Sequence, residues 1–242
     1  MIDLHCHILP GIDDGATELS DSVVMARQAA EDGIEAICAT PHIRHDHDVR
    51  IEEIDVRVAE LQAELERQRV PVSVIAGGEV AETAVEALDG NELRRVTLGD
   101  GPWVLLEPAS GPLSDSLHQR VRHLAERGYR SLIAHPERHL CEDLGERLAD
   151  LVREGTLVQA TADFFLREET APYMLELAGR GLVHVLGSDA HSPRIGRPVR
   201  IAAALEVLGR VELLRPHLEW IGEDAPAAIV RGEELEAPFE PR

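Results

Sequence analysis

The segment MIDLHCHILPGIDDG sets His5 and His7 two residues apart and follows them with Asp13 and Asp14 just before Gly15. Met1 to Ile8 reads as a strand, and side chains two apart on a strand share a face. The two imidazoles therefore project side by side. Such a pair is ready-made for a metal ion, because imidazole nitrogen is among the commonest ligands. The bland alternative is that the histidines cap a core strand. Cys6, between them, points to the opposite face and reads as packing.

Further ligand-type residues recur at comparable places. His42 follows an apolar run in ATPH, Glu79 ends one in AGGEV, and Glu107 ends another in LLEP. His135 stands in IAHPER, and Asp189 and His191 in GSDAH. The strand-length runs are MIDLHCHI, IEAICAT, VSVIAGGEV, WVLLEP, RSLIAHPE, LVQATA and VHVLGSDAH. Segments of helical period lie between them: 20–32 with Val23, Val24, Arg27 and Ala30 as its stripe, 51–69 with Ile54, Val58, Leu61 and Leu65, then 114–127 and 168–180. Seven βα units without a charged linker predict one α/β domain over 1–242 with a parallel sheet, closed as a barrel. A doubly wound open sheet is the structural alternative, but no glycine-rich nucleotide fingerprint is present. The polar, proline-containing segment 232–242 is expected to fray.

In a βα barrel the C-terminal strand ends converge on one face, where active sites are built. Ligand-type residues end six of the seven strands, and burying so many without a cation would cost several kcal/mol each. A polynuclear metal site is the economical reading. Nitrogen and oxygen donors without thiolate favour manganese, iron or zinc, and eight or nine ligands imply two or three ions.

The bulk composition sets the limits. Hydrophobic residues make up 44% of 242 positions and aromatic ones only 3%, so aliphatic side chains must fill the core. A net charge of −21 argues against nucleic acid and anionic membranes as partners. No apolar run is long enough to span a bilayer, and no signal segment precedes the first strand. Cys6, Cys38 and Cys141 fit neither a zinc knuckle nor a disulfide framework, which suggests the cytoplasm. All 24 basic residues are arginine, so Schiff-base chemistry, a P-loop lysine and a carboxylated-lysine metal bridge are excluded.

DLHCHILPGIDDGA, ATPH, GGEV, LLE, AHPER and GSDAH, in this order, resemble the polymerase and histidinol phosphatase (PHP) superfamily. Within it they are most similar to the bacterial manganese-dependent protein tyrosine phosphatases of capsule and exopolysaccharide operons. The resemblance runs from Met1 to EDAPAAIVRGEEL. It implies a distorted (β/α)7 barrel, TIM-like in plan, around a trinuclear centre held by His5, His7, Asp14, His42, Glu79, Glu107, His135, Asp189 and His191. Arg138 of HPER corresponds to a phosphate-binding arginine, and a second is expected from Arg194 or Arg197, both after SDAH. The implied ions are Mn2+, with iron or zinc as alternatives. The implied substrate is a phosphotyrosine protein, a tyrosine autokinase that controls capsule synthesis. Clustered ions lower the pKa of a shared water, and the hydroxide so formed is expected to attack phosphorus in line. His45 and His47, in IRHDHDVR, lie outside the resemblance and read as loop surface or cleft wall.

Other readings fit these residues less well. CATPHIR satisfies a CX5R phosphatase pattern from Cys38 to Arg44, but Pro41 removes an N–H and Cys38 lies in an apolar run. Within the superfamily the runner-up is a histidinol-phosphate or other small-molecule phosphatase. Amidohydrolases also open on HxH, but their common binuclear form needs the lysine this chain lacks. A non-catalytic metal-binding module is the third class. His118, His123, His184 and His217 read as surface or supporting groups, and Trp103 and Trp220 as packing.

Overall fold

The computed structural model describes residues 1–99, 101–139 and 141–242. Each apolar run becomes short parallel strand, and each amphipathic stretch a helix packed against it. In chain order these are β1 (Ile2–Cys6), α1 (Leu19–Glu31), β2 (Ala36–Ala39), β3 (His42–Ile43), α2 (Ile54–Arg67), β4 (Ser73–Ala76) and β5 (Glu79–Ala81). Then come α3 (Gly90–Val96), β6 (Trp103–Glu107), α4 (Asp115–Glu126), β7 (Arg130–Ala134), α5 (Leu144–Arg153), β8 (Leu157–Thr161), α6 (Ala171–Gly179), β9 (Val185–Gly187), α7 (Ala202–Leu208) and α8 (Ala225–Arg231). Among the described residues no helix is long and apolar enough to cross a membrane.

The sheet departs from one closed ring. One of the seven expected strands, VSVIAGGEV, is broken in two, and a further short strand, β3, follows the second. Thr40 and Pro41 separate β2 from β3, where proline has no N–H to donate. Gly77 and Gly78 separate β4 from β5, and a Cβ on Gly78 would lie 2.8 Å from Ile43 Cγ1. The strands therefore form two parallel sheets, β1-β2-β4 and β3-β5-β6-β7-β8-β9. The sheets meet again where Cys6 bridges Ala190, just past β9. Asp3 Oδ1 clasps that seam by accepting from the backbone N–H groups of Ser188 (3.0 Å) and His5 (3.2 Å).

Strand alternation carries the core upward into polar chemistry. Trp103, Leu105 and Glu107 share one face of β6; the first two lie in an apolar cluster with Leu132, Leu157, Val185 and Ile229. Glu107, at the strand end, leaves that core and enters the polar face. Ala225 and Ile229 of α8 close the apolar end.

Three local expectations change. The buried stripe of α1 is Ser22, Val23, Met25, Ala26 and Ala29, whereas Val24 is 41% exposed. The helix is rotated because Met25 and Ala26 seek the core, and Arg27 turns out to Gln68. The tail 232–242 has no regular structure, yet its Phe239 is buried beside the rings of His184, His217 and Trp220. His184 is a fully buried group under that tail, its Nδ1 accepting from the Val158 N–H at 3.1 Å.

Candidate metal centre

Local backbone features aim the polar residues inward. His42 pairs in register with Glu79, and Ala81 with Glu107, so the ends of β3, β5 and β6 stand side by side. The β1 loop folds back over His7: Ala16 N–H donates to the His7 carbonyl at 3.0 Å. A Cβ on Gly15 would lie 2.2 Å from that carbonyl oxygen, so the fold-back needs glycine there. Among the described residues three non-glycines have positive φ, and two of them are His135 (29°) and Asp189 (50°). Strained backbone of this kind persists where the surroundings over-determine it, commonly at functional sites.

The nine residues expected as ligands come together in overlapping groups. They are His7, Asp14, His42 and His191; His5, His7 and Asp189; His5, Glu79 and His135; and His42, Glu79 and Glu107. Glu79 is central. Its Oε2 lies 3.4 Å from His5 Nε2, 3.3 Å from His7 Nε2 and 2.8 Å from His42 Nδ1, while Oε1 meets His135 Nε2 at 2.6 Å. Asp189 Oδ1 is 3.6 Å from His5 Nε2. Asp14 is the outermost, with Oδ1 at 3.4 Å from both His42 Nε2 and His191 Nε2.

The arrangement fits divalent cations. His5 Nδ1 is bonded to Gln159 Oε1 at 2.9 Å and His7 Nδ1 to Asp13 Oδ2 at 2.8 Å. With those nitrogens as donors, the two Nε2 atoms face each other at 3.2 Å and are the positions left for a cation or a proton. Glu79 Oε2 and Asp189 Oδ1 are buried and each is faced by several nitrogens at once, Oε2 by His5, His7 and His42, and Oδ1 by His5 and Arg197. Carboxylate oxygens and imidazole nitrogens crowded this closely in a buried site are a donor set that divalent cations accept.

The charges are already polarised. Burial opposes charge on His7, but hydrogen bonds to Asp13 and Glu79 outweigh it and raise its pKa to about 10. Burial would raise Asp13, yet the bond from His7 lowers it to about 2. Asp189 likewise falls to about 2, as His5, His135, Arg138 and Arg197 overcome its burial. Glu107 moves the other way, raised by burial and by Glu79.

Two arginines reach the cluster and one does not. Arg138, on the 3-10 turn Pro136–Arg138 after β7, donates to Asp189 Oδ2. Arg197 donates to the Asp189 carbonyl at 2.7 Å and lies 3.1 Å from its Oδ1. Arg194 is 77% exposed at the side chain and turns away to Asp21 on α1, at 3.5 Å.

The family of capsular polysaccharide synthesis proteins CpsB/CapC matches residues 1–212. The chain belongs to the CpsB/CapC family. It is 35% identical over 202 residues to the tyrosine-protein phosphatase YwqE of Bacillus subtilis, covering 79% of this chain and 78% of YwqE. A crystal structure from work on YwqE and on CpsB of Streptococcus pneumoniae, described as metal-dependent tyrosine phosphatases, superposes with TM-score 0.85. That match has 28% identity and covers 100% of this chain and 99% of the other. A histidinol phosphate phosphatase from Lactococcus lactis shares the fold at TM-score 0.53 and 13% identity, over 91% of this chain and 94% of its own.

Several further residues of this CpsB/CapC chain shape the site. Gln159 sits in the apolar run LVQATA, and one buried amide in such a run was the available signal. Asp13 was visible beside Asp14, but which of the two faces His7 depends on the turn. Arg44 lies 3.4 Å from Glu107 Oε2. His47 lies tilted beside His42, ring centres 4.8 Å apart, whereas His45 is exposed. Cys6 and Cys38 are fully buried, and burial pushes the Cys38 thiol far above its ordinary range.

Proposed function

We propose that this chain is a manganese-dependent protein tyrosine phosphatase acting on a tyrosine autokinase that controls capsule or exopolysaccharide synthesis. Convergence of His5, His7, Asp14, His42, Glu79, Glu107, His135, Asp189 and His191, with Arg138 and Arg197 on Asp189, carries this reading. Membership of a capsule-synthesis family and the 35% identity to a tyrosine-protein phosphatase support the substrate class. The nine strand pieces, taken as seven βα units with the Cys6–Ala190 bridge as seam, suit a distorted (β/α)7 barrel. Free Cys6, Cys38 and Cys141 suit a reducing compartment, and we place the reaction in the cytoplasm.

The nine side chains would hold two or three divalent ions, which when bound supply an activated water at neutral pH and positive charge beside phosphorus. Arg138 and Arg197 approach the cluster from one carboxylate, Asp189, and their guanidinium groups are placed to neutralise phosphoryl oxygens. Asp13 and Gln159 hold the rings of His7 and His5 in one orientation. The phenolate of tyrosine, with a parent pKa of about 10, leaves without a strong general acid. No side chain in this scheme forms a covalent phosphoenzyme, and buried Cys38 is unsuited to do so.

Protein stripped with a chelator should lose turnover of a phosphotyrosine peptide and regain it with Mn2+. Histidinol phosphate and an N-acyl amino acid, tested beside the peptide, measure the two rival reactions. Full activity in a demonstrably metal-free sample, or a clear preference for either rival substrate, would overturn the proposal.

A further inference from the structure

The loop after β3 carries a guanidinium that the chemistry above does not use. Arg44 is half-buried and faces two ways. Its Nη1 lies 3.4 Å from Glu107 Oε2, at the edge of the cluster. Its other edge makes a two-bonded fork with Asp46, Nε to Oδ1 at 2.6 Å and Nη2 to Oδ2 at 2.9 Å. The same loop is held to the site by the His47 ring against His42. Arg44 is thus fixed at the rim on the Glu107 side, while Arg138 and Arg197 occupy the Asp189 side.

We propose that Arg44 is a specificity residue that receives a carboxylate flanking the phosphotyrosine of a polypeptide substrate. This rests on the phosphatase reading given above. The edge that makes the fork points away from the ligand carboxylates, so it meets polypeptide beside the phosphoester and not the phosphoryl group itself. Asp46 shows which group the fork accepts: a carboxylate in planar, two-bonded geometry. That carboxylate is 47% exposed and solvent-screened, so the fork opens to an incoming acidic side chain at modest cost. The chain as a whole carries −21 and repels acidic peptides at long range. A preference for them therefore needs a local cation of this kind.

The test compares kcat/KM for two phosphotyrosine peptides, one flanked by glutamates and one by glutamines. Wild type should favour the acidic peptide by about fivefold, the range of a partly exposed charged pair. Arg44→Ala should bring the ratio to one, and Arg44→Lys should restore part of it. Asp46→Asn, on the exposed loop, removes the competitor and should lower KM for the acidic peptide alone. Equal turnover of both peptides by wild type, or an unchanged ratio in Arg44→Ala, overturns this proposal and leaves the phosphatase reading standing. Turnover of neither peptide overturns both.

Discussion

The Nε2 atoms of His5 and His7 face each other at 3.2 Å, and each ring is already committed at Nδ1, to Gln159 and Asp13 respectively. Two imidazoles in contact through their unshared nitrogens repel unless something positive lies between them. The hydrogen bonds behind the rings fix both orientation and tautomer, so they set how well that position is prepared.

Gln159→Leu and Asp13→Asn should each weaken divalent-ion binding by about 10- to 100-fold while the fold survives. Competition titration of Mn2+ against a chelator of known affinity measures this without reference to turnover. Unchanged affinity in both variants would reduce Gln159 and Asp13 to packing roles.

Cys38 should be dispensable to the chemistry despite its CX5R spacing to Arg44. It is fully buried on β2, where burial pushes the thiol far above its ordinary range and no thiolate forms near neutral pH. Cys38→Ser should keep turnover within a few-fold and lose about 1–2 kcal/mol of stability, since it buries a hydroxyl. A loss of several orders of magnitude with metals retained would revive the cysteine mechanism.

His184 should make the protein acid-sensitive at a point remote from the site. Burial lowers its pKa to about 3, and its Nδ1 accepts from the Val158 N–H, a bond that protonation would break. The folded pKa is below the unfolded value, so the unfolded chain binds the extra proton. Stability from this group is complete above about pH 6.5 and is lost as pH falls towards 3. Denaturant titrations at pH 7 and pH 5 should show wild type losing about 2 kcal/mol more than His184→Gln, whose amide oxygen can keep the bond. Parallel losses in the two proteins would show that His184 does not set the slope.

Legibility varied with the kind of information a residue carries. Strand ends were readable because apolar runs and their terminal polar residues are local; Glu107 closes β6 as expected, whereas Glu79 opens β5 beyond the Gly77–Gly78 break. The breaks at Pro41 and Gly77–Gly78 were spelled out in the sequence too. Their effect on the ring depends on non-local fit, as the contact of Gly78 with Ile43 shows. The partners behind the clustered histidines were harder to see. Gln159 reaches His5 across 154 positions of chain, and no local pattern announces such a bond. Val24 faces out on α1 and Met25 in, because the apolar positions there are broad enough to allow either rotation. Phe239 marks the same limit, since a lone aromatic in a polar tail has no periodicity to reveal its burial.

The arginines provide the test that goes beyond metal binding. Arg138 and Arg197 converge on Asp189 from two different loops, one after β7 and one after β9, while Arg194 meets only Asp21 on the helix surface. Charge in phosphoryl transfer spreads over the equatorial oxygens, so a guanidinium on them acts in the transition state as well as in binding. An exposed ion pair such as that of Arg194 contributes at most about 1 kcal/mol to stability and nothing to rate. Arg138→Ala and Arg197→Ala should therefore each lose about 100-fold or more in kcat/KM, roughly 3 kcal/mol, with metals and fold retained. Arg194→Ala should stay within about two-fold of wild type on the same phosphotyrosine peptide. Lysine at 138 should recover only part of the loss, because a point charge lacks the paired donors. Steady-state kinetics with metal analysis of each variant decides the matter. A large loss at Arg194 with little at Arg197 would reverse the assignment, and near-wild-type kinetics for Arg138→Ala would remove it from the site.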